Sequence, residues 1–82
     1  MKADKTHRGF RIIEHASYAN EPKLMRLLQE SSAVGEYRDS FDKPGSSFLW
    51  FGADHHLNRE EVKQTIKIMK TWLKTGRLPK EL

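Results

Sequence analysis

Eighty-two residues, 37% of them hydrophobic and none of them cysteine, leave room for one small domain and exclude a disulfide framework, a thiolate metal site and a thiol nucleophile. The formal charge of +4 sits wholly in the last third: residues 59–82 hold seven Lys/Arg against three Glu, whereas residues 1–58 hold eight of each sign. The longest apolar run is Phe48 to Phe51, too short to span a membrane, and no apolar segment of the secretory kind follows the charged start, so a cytoplasmic location is expected.

In chain order, residues 1–8 are polar, alternately charged and without periodicity, which predicts a flexible N-terminal arm ahead of a single α+β domain over residues 9–82. From Phe10, the residues Phe10, Ile12, Ala16 and Tyr18 fall on every second position against Arg11, His15 and Ser17, the pattern of a half-buried strand that Ile13 and Glu14 interrupt once. Asn20-Glu21-Pro22-Lys23 predicts a turn, since Asn tolerates unusual backbone angles and Pro fixes φ. Leu24 to Ser32 is rich in helix formers, yet a strand there would pair with the first as a hairpin and give the next strand a sheet to join; strand is the expectation. Gly35 to Gly45, with Tyr37 and Phe41 its only large apolar groups, is expected to be a long solvent-exposed connection.

Ser46 to Gly52 predicts a strand with bulky side chains on both faces. The C-terminal helix has the clearest boundaries: Asn58 as N-cap, Glu61 completing a capping box, Leu57 facing Val62 as a hydrophobic staple, Gly76 closing the helix and Pro79 preventing its resumption. At about 100° per residue, Val62, Ile66, Met69 and Leu73 share one face, flanked by Ile68 and Trp72, and that face is expected to pack on the sheet. One helix covers one sheet face, so whichever of Phe48/Trp50 and Leu49/Phe51 points the other way needs a second cover, which predicts a homodimer or a protein partner there. The candidate contact residues are Phe48, Leu49, Trp50, Phe51 and Trp72; for the two tryptophans the plainer alternative is mutual packing in the core.

Lys63, Lys67, Lys70 and Lys74 recur at spacings of four, three and four, with Arg59 near the helix start and Arg77 past its end. Such a stripe could follow a phosphate backbone or meet an acidic partner; a solvated face whose last lysines complement the helix dipole is the commoner meaning of the same pattern. Asp54-His55-His56, with His15 and Glu14, offers metal-ligating atoms without a metal-site spacing, and no metal or other cofactor is expected. Ser31 and Ser32 beside Glu30 supply the atoms of a hydrolytic site without a nucleophile elbow or an orienting Asp, so no catalytic residue is assigned and the chain is not expected to be an enzyme.

Gln29-Glu30-Ser31-Ser32, Phe48-Leu49-Trp50-Phe51-Gly52, His56-Leu57-Asn58-Arg59-Glu60-Glu61-Val62 and Trp72 to Leu78 together resemble short phage and bacterial proteins of unassigned activity with a "QESS" segment, an aromatic "WFG" or "WLG" strand and an "HLNREEV" helix ending in "TG-L". The resemblance covers about half the chain, supports strand at Leu24 to Ser32 and carries over no catalytic residues; the Gly35 to Gly45 loop is longer than the connection expected in such proteins. It implies a compact, phage-related accessory protein that acts by binding, within a bacterial host cell. The expectation is therefore an α+β fold, a small three-stranded, mainly antiparallel sheet packed on one face by the C-terminal helix. The expected function is a non-catalytic regulatory or inhibitory protein, with nucleic-acid binding through the lysine stripe as the alternative.

Overall fold

The structure, a computed structural model, describes residues 1–16, 24–36, 38, 45–52 and 55–82. Its order is β1 (Lys2–Lys5), β2 (Arg11–Ala16), β3 (Leu24–Glu30), β4 (Leu49–Phe51) and α1 (Arg59–Thr75). The strands form one antiparallel sheet in the order β1-β2-β3-β4, with the helix packed on one face. The α+β class and the helix-on-sheet arrangement agree with the sequence; the sheet has four strands rather than three. The additional one is β1, in the stretch expected to be a flexible arm. It pairs Lys2 with Glu14 and Lys5 with Arg11 through a turn at Gly9, whose φ of 86° suits glycine. Aperiodic polarity misled there, because β1 is an edge strand that needs only Met1 and Ala3 against the core and leaves its lysines in solvent.

Strand wins over helix propensity at Leu24–Glu30 through its two neighbours, β2 on one side and β4 on the other. The pairing slips between Ile13 and Glu14: Ile13 faces Leu28 while Glu14 faces Arg26, so Leu27 is the extra residue of a β-bulge. The bulge lets the adjacent Leu27 and Leu28 both reach the core, at 1% and 0% exposure, which strict alternation forbids. The core comprises Ile13, Leu27, Leu28, Ile68 and Leu78, with Leu49, Leu57, Met69 and Trp72 packed around it. The Asn20–Lys23 turn and all of the Gly35–Gly45 connection except Gly35, Glu36, Arg38 and Gly45 lie outside the described residues.

The helix begins and ends where its signals place it. Asn58 Oδ1 accepts from the Glu61 N–H at 2.8 Å and Glu61 Oε1 accepts from the Asn58 N–H at 3.0 Å, closing the capping box. Gly76 is left-handed at φ 76° and donates its N–H to Trp72 O. The buried face, however, is another one. Thr65 and Ile68 are buried, while Val62, Ile66 and Leu73 are 42%, 49% and 74% exposed, so the helix is rolled by about a quarter turn from the expected docking face. Polar contacts set this roll: Glu61 bonds His15 and the Trp72 indole N–H donates to Ser46 Oγ at 2.9 Å. Thr65 accepts burial because its hydroxyl donates to Glu61 O at 2.7 Å. The apolar volume that Leu73 and Ile66 would have supplied comes instead from Leu78, beyond the helix end.

Candidate functional site

β4 is a sheet edge, and its outer side pairs with no other strand among the described residues. Ser31 donates its N–H to Phe48 O at 3.0 Å and Gly52 its N–H to Leu27 O at 2.7 Å. By the alternation of an antiparallel ladder, the main-chain groups of Trp50 then face β3, and those of Leu49 and Phe51 face away from the sheet. Gly52 must be glycine because a Cβ there would run into the carbonyl oxygen of Arg26. Around this edge Phe48, Trp50 and Phe51 are 52%, 65% and 60% exposed. Of the five apolar contact candidates, these three are thus presented to solvent, whereas Leu49 packs against the core and Trp72 is turned inward onto Ser46. Mutual packing of Trp50 and Trp72 does not occur. The aromatic surface follows an edge rather than a whole uncovered face, since Ile12 on the face away from the helix is already 3% exposed.

The helix also has an exposed apolar flank. Past Gly76, Pro79 and Leu82 share a cavity with Gln64, Ile68 and Thr71, and Arg77 and Lys80 share another with Ala3, Asp4 and Lys5 of β1. The last residues therefore run along the β1 side of the helix, and Val62, Ile66 and Leu73 lie exposed on its opposite flank.

Lys63, Lys67, Lys70 and Lys74 are exposed, as is Arg59, and the helical period sets the four lysines opposite the buried Thr65 and Ile68. Lys63 lies 3.5 Å from Glu60, an exposed pair. Arg77 leaves this group: its Nε donates to Glu30 Oε2 at 2.9 Å and its Nη2 to Glu30 Oε1 at 3.1 Å. A fork of this kind is a structural ion pair, so Arg77 is withdrawn from the nucleic-acid or acidic-partner candidates.

Glu30, which the sequence offered only as a neighbour of Ser31 and Ser32, has a structural role that sequence reasoning missed. It is 1% exposed and also accepts from the main-chain N–H of Arg11 and of Leu78, both at 2.8 Å. Arg11 Nη1 closes the clasp by donating to Leu78 O at 2.9 Å. With all its contacts inside the protein, the Glu30 carboxylate anchors the chain end and is not placed for acid–base work; its neighbour Ser31 accepts from the Ala33 N–H at 3.1 Å.

A second polar cluster joins sheet and helix at the opposite end. His15, 6% exposed, sets Nε2 2.5 Å from Glu61 Oε2 and Nδ1 3.2 Å from His55 Nδ1, while His55 Nε2 lies 3.2 Å from Arg26 O. The carbonyl and an ionised carboxylate can only accept, so both Nε2 atoms donate. Among the described residues no group of His, Asp and Glu could hold a metal ion, and Asp54 lies outside them. The Asn58 N–H first, and then His15, hold the Glu61 carboxyl below its ordinary value of 4.5. A lowered folded-state pKa stabilises the fold above the unfolded value and loses that contribution as pH falls through the folded one. Glu61→Gln is therefore expected to flatten the fall in urea midpoint below pH 4.5, and an acid limb identical to wild type would refute this.

No helix of the described residues is long and apolar enough to cross a membrane. No family model matches the chain, and neither a curated protein nor a solved structure matches it.

Proposed function

We propose that this chain is a small non-catalytic binding protein, of the phage-related accessory type, that regulates or inhibits a macromolecular partner in the bacterial cytoplasm by protein–protein contact. The observation that carries the reading is the sheet edge β4, along which Phe48, Trp50 and Phe51 are exposed. Large aromatic side chains exposed along an edge cost solubility unless a partner uses them, and unpaired edge groups suit pairing with an extended segment. The buried polar groups support the same reading, because Glu30 and His15 are spent on holding the helix to the sheet.

The test is affinity capture from bacterial lysate with the wild-type chain and a Phe48→Ala/Trp50→Ala/Phe51→Ala variant. A specific protein should be retained by wild type and lost by roughly 30-fold in the variant, the effect of about 2 kcal/mol from aromatic hot spots. Equal capture by both, or none by wild type, would sink the proposal.

A second reading, nucleic-acid binding, is favoured by the exposure of Lys63, Lys67, Lys70 and Lys74 opposite the docked face. It predicts that changing all four to Gln lowers the slope of log affinity against log salt by about 3 to 4, at about 0.9 per phosphate contact. Unchanged DNA and RNA binding would remove this reading.

A further inference from the structure

We infer that the β4 edge is a self-pairing surface: two copies of the chain join β4 to β4 in antiparallel register about Trp50, making one continuous eight-stranded sheet. The inference rests on the protein-contact reading above and specifies an occupant for the edge.

The ladder geometry carries it. The outward main-chain groups belong to Leu49 and Phe51, which flank Trp50 symmetrically. A second copy related by a two-fold axis through Trp50 sets Leu49 opposite Phe51 of its partner and Phe51 opposite Leu49. Each of these is a hydrogen-bonded pair, so every outward N–H and C=O of β4 is used and none is left over. Trp50 then meets its own copy in a non-hydrogen-bonded pair, the position with the closest side chains, about 4.5 Å between Cα atoms. Phe48 lies on the same face two residues away and becomes the diagonal neighbour of the partner's Trp50, which gives a cluster of four aromatic rings.

Charge agrees with this choice of partner. Residues 46–52 contain no charged side chain, and the lysines that carry the net +4 lie on the solvent side of the helix. Two like-charged copies can therefore meet at β4 without setting charge against charge. Sheet edges are usually guarded against such pairing by Lys, Pro, a bulge or shortness; β4 is three residues long but carries no Lys, Pro or bulge.

The exposed parts of Phe48, Trp50 and Phe51 come to about 350 Å² per copy, on the scale of 150–250 Å² for a fully exposed aromatic side chain. The total of about 700 Å² is below the roughly 1,000 Å² of a stable interface, so the pairing is a weak one that leans on the main-chain bonds and depends on concentration. Pairing does not use Val62, Ile66 and Leu73, which stay exposed on the helix of each copy and open to the regulated partner.

The test uses solution mass and a single-cysteine crosslink, which the absence of native cysteine makes clean. Light scattering across a hundredfold concentration range should show the mass rising from 9.6 kDa to twice that value. Trp50→Lys and, separately, Phe51→Pro, which removes one outward N–H without touching the β3 ladder, should hold the mass at 9.6 kDa with an unchanged circular dichroism spectrum. Trp50→Cys should oxidise to a covalent dimer at high concentration, because a Cα separation near 4.5 Å fits a disulfide, whereas Lys70→Cys on the far side should not. A wild-type monomer at every concentration would overturn self-pairing while leaving lysate capture to decide the binding reading. A dimer that survives both edge variants, or that crosslinks at Lys70→Cys and not at Trp50→Cys, would overturn the register.

Discussion

Replacing Glu30 by alanine is expected to lower unfolding stability by about 3 to 5 kcal/mol, the cost of removing one partner from a buried ion pair. A chain of 82 residues has about 4 to 12 kcal/mol in total, so this single change should bring the protein close to unfolding at room temperature. The loss is large because Glu30 serves four donors at once: the Arg77 guanidinium twice, and the main-chain N–H groups of Arg11 and Leu78. Removing it leaves a half-buried cation and two amides with no acceptor. Glu30→Gln should fall between wild type and alanine, since one carbonyl oxygen replaces two and the amide nitrogen then faces Arg77. A urea melt followed by circular dichroism measures both. An alanine variant within 1 kcal/mol of wild type would show that the clasp does not hold the fold together.

The second expected result concerns the roll of the helix. Leu28→Ala should cost about 2 to 5 kcal/mol, because Leu28 is fully buried opposite Ile13 and its removal opens a cavity in a small core. Leu73→Ala should stay within about 0.5 kcal/mol, as for an ordinary surface position. Leu73 is 74% exposed, although the helical spacing of apolar residues assigns it to the core. The pair of measurements is diagnostic: if the helix docked on its Val62, Ile66, Met69 and Leu73 face, both substitutions would cost several kcal/mol.

Element identity and helix limits were legible in the sequence where local chemistry decides them. Asn58, Glu61 and Gly76 mark the helix ends through bonds to main-chain groups within a few residues, so no tertiary information is needed. What the sequence hid depends on distant partners. Lys2–Lys5 becomes a strand because β2 offers it an edge, and nothing in four mostly polar residues announces that edge. The helix roll could not be read from apolar periodicity because Thr65, Trp72 and Glu61 take part in docking through polar bonds, and Leu78 occupies core space from outside the helix. At the candidate site the aromatic segment Phe48 to Phe51 was visible, but its placement on an edge was not; that follows from the β1-β2-β3-β4 order. Arg77 belonged by spacing to the basic stripe, and only the buried Glu30, forty-seven residues away, withdraws it. One signal for that clasp was available: Glu30 is an acidic residue at the end of a strand with both faces in use, a position that demands a cationic partner.

The two polar clusters sit at opposite ends of the same helix, His15 with Glu61 at its start and Glu30 with Arg77 and Leu78 just past its finish. A helix held at one end can fray from the other and exchange its amide protons turn by turn. Held at both, it has no loose end from which to open, and its central amides should exchange with deuterium only when the whole domain unfolds. The exposed flank of Val62, Ile66 and Leu73 is then a fixed surface, held in one orientation for as long as the domain stays folded.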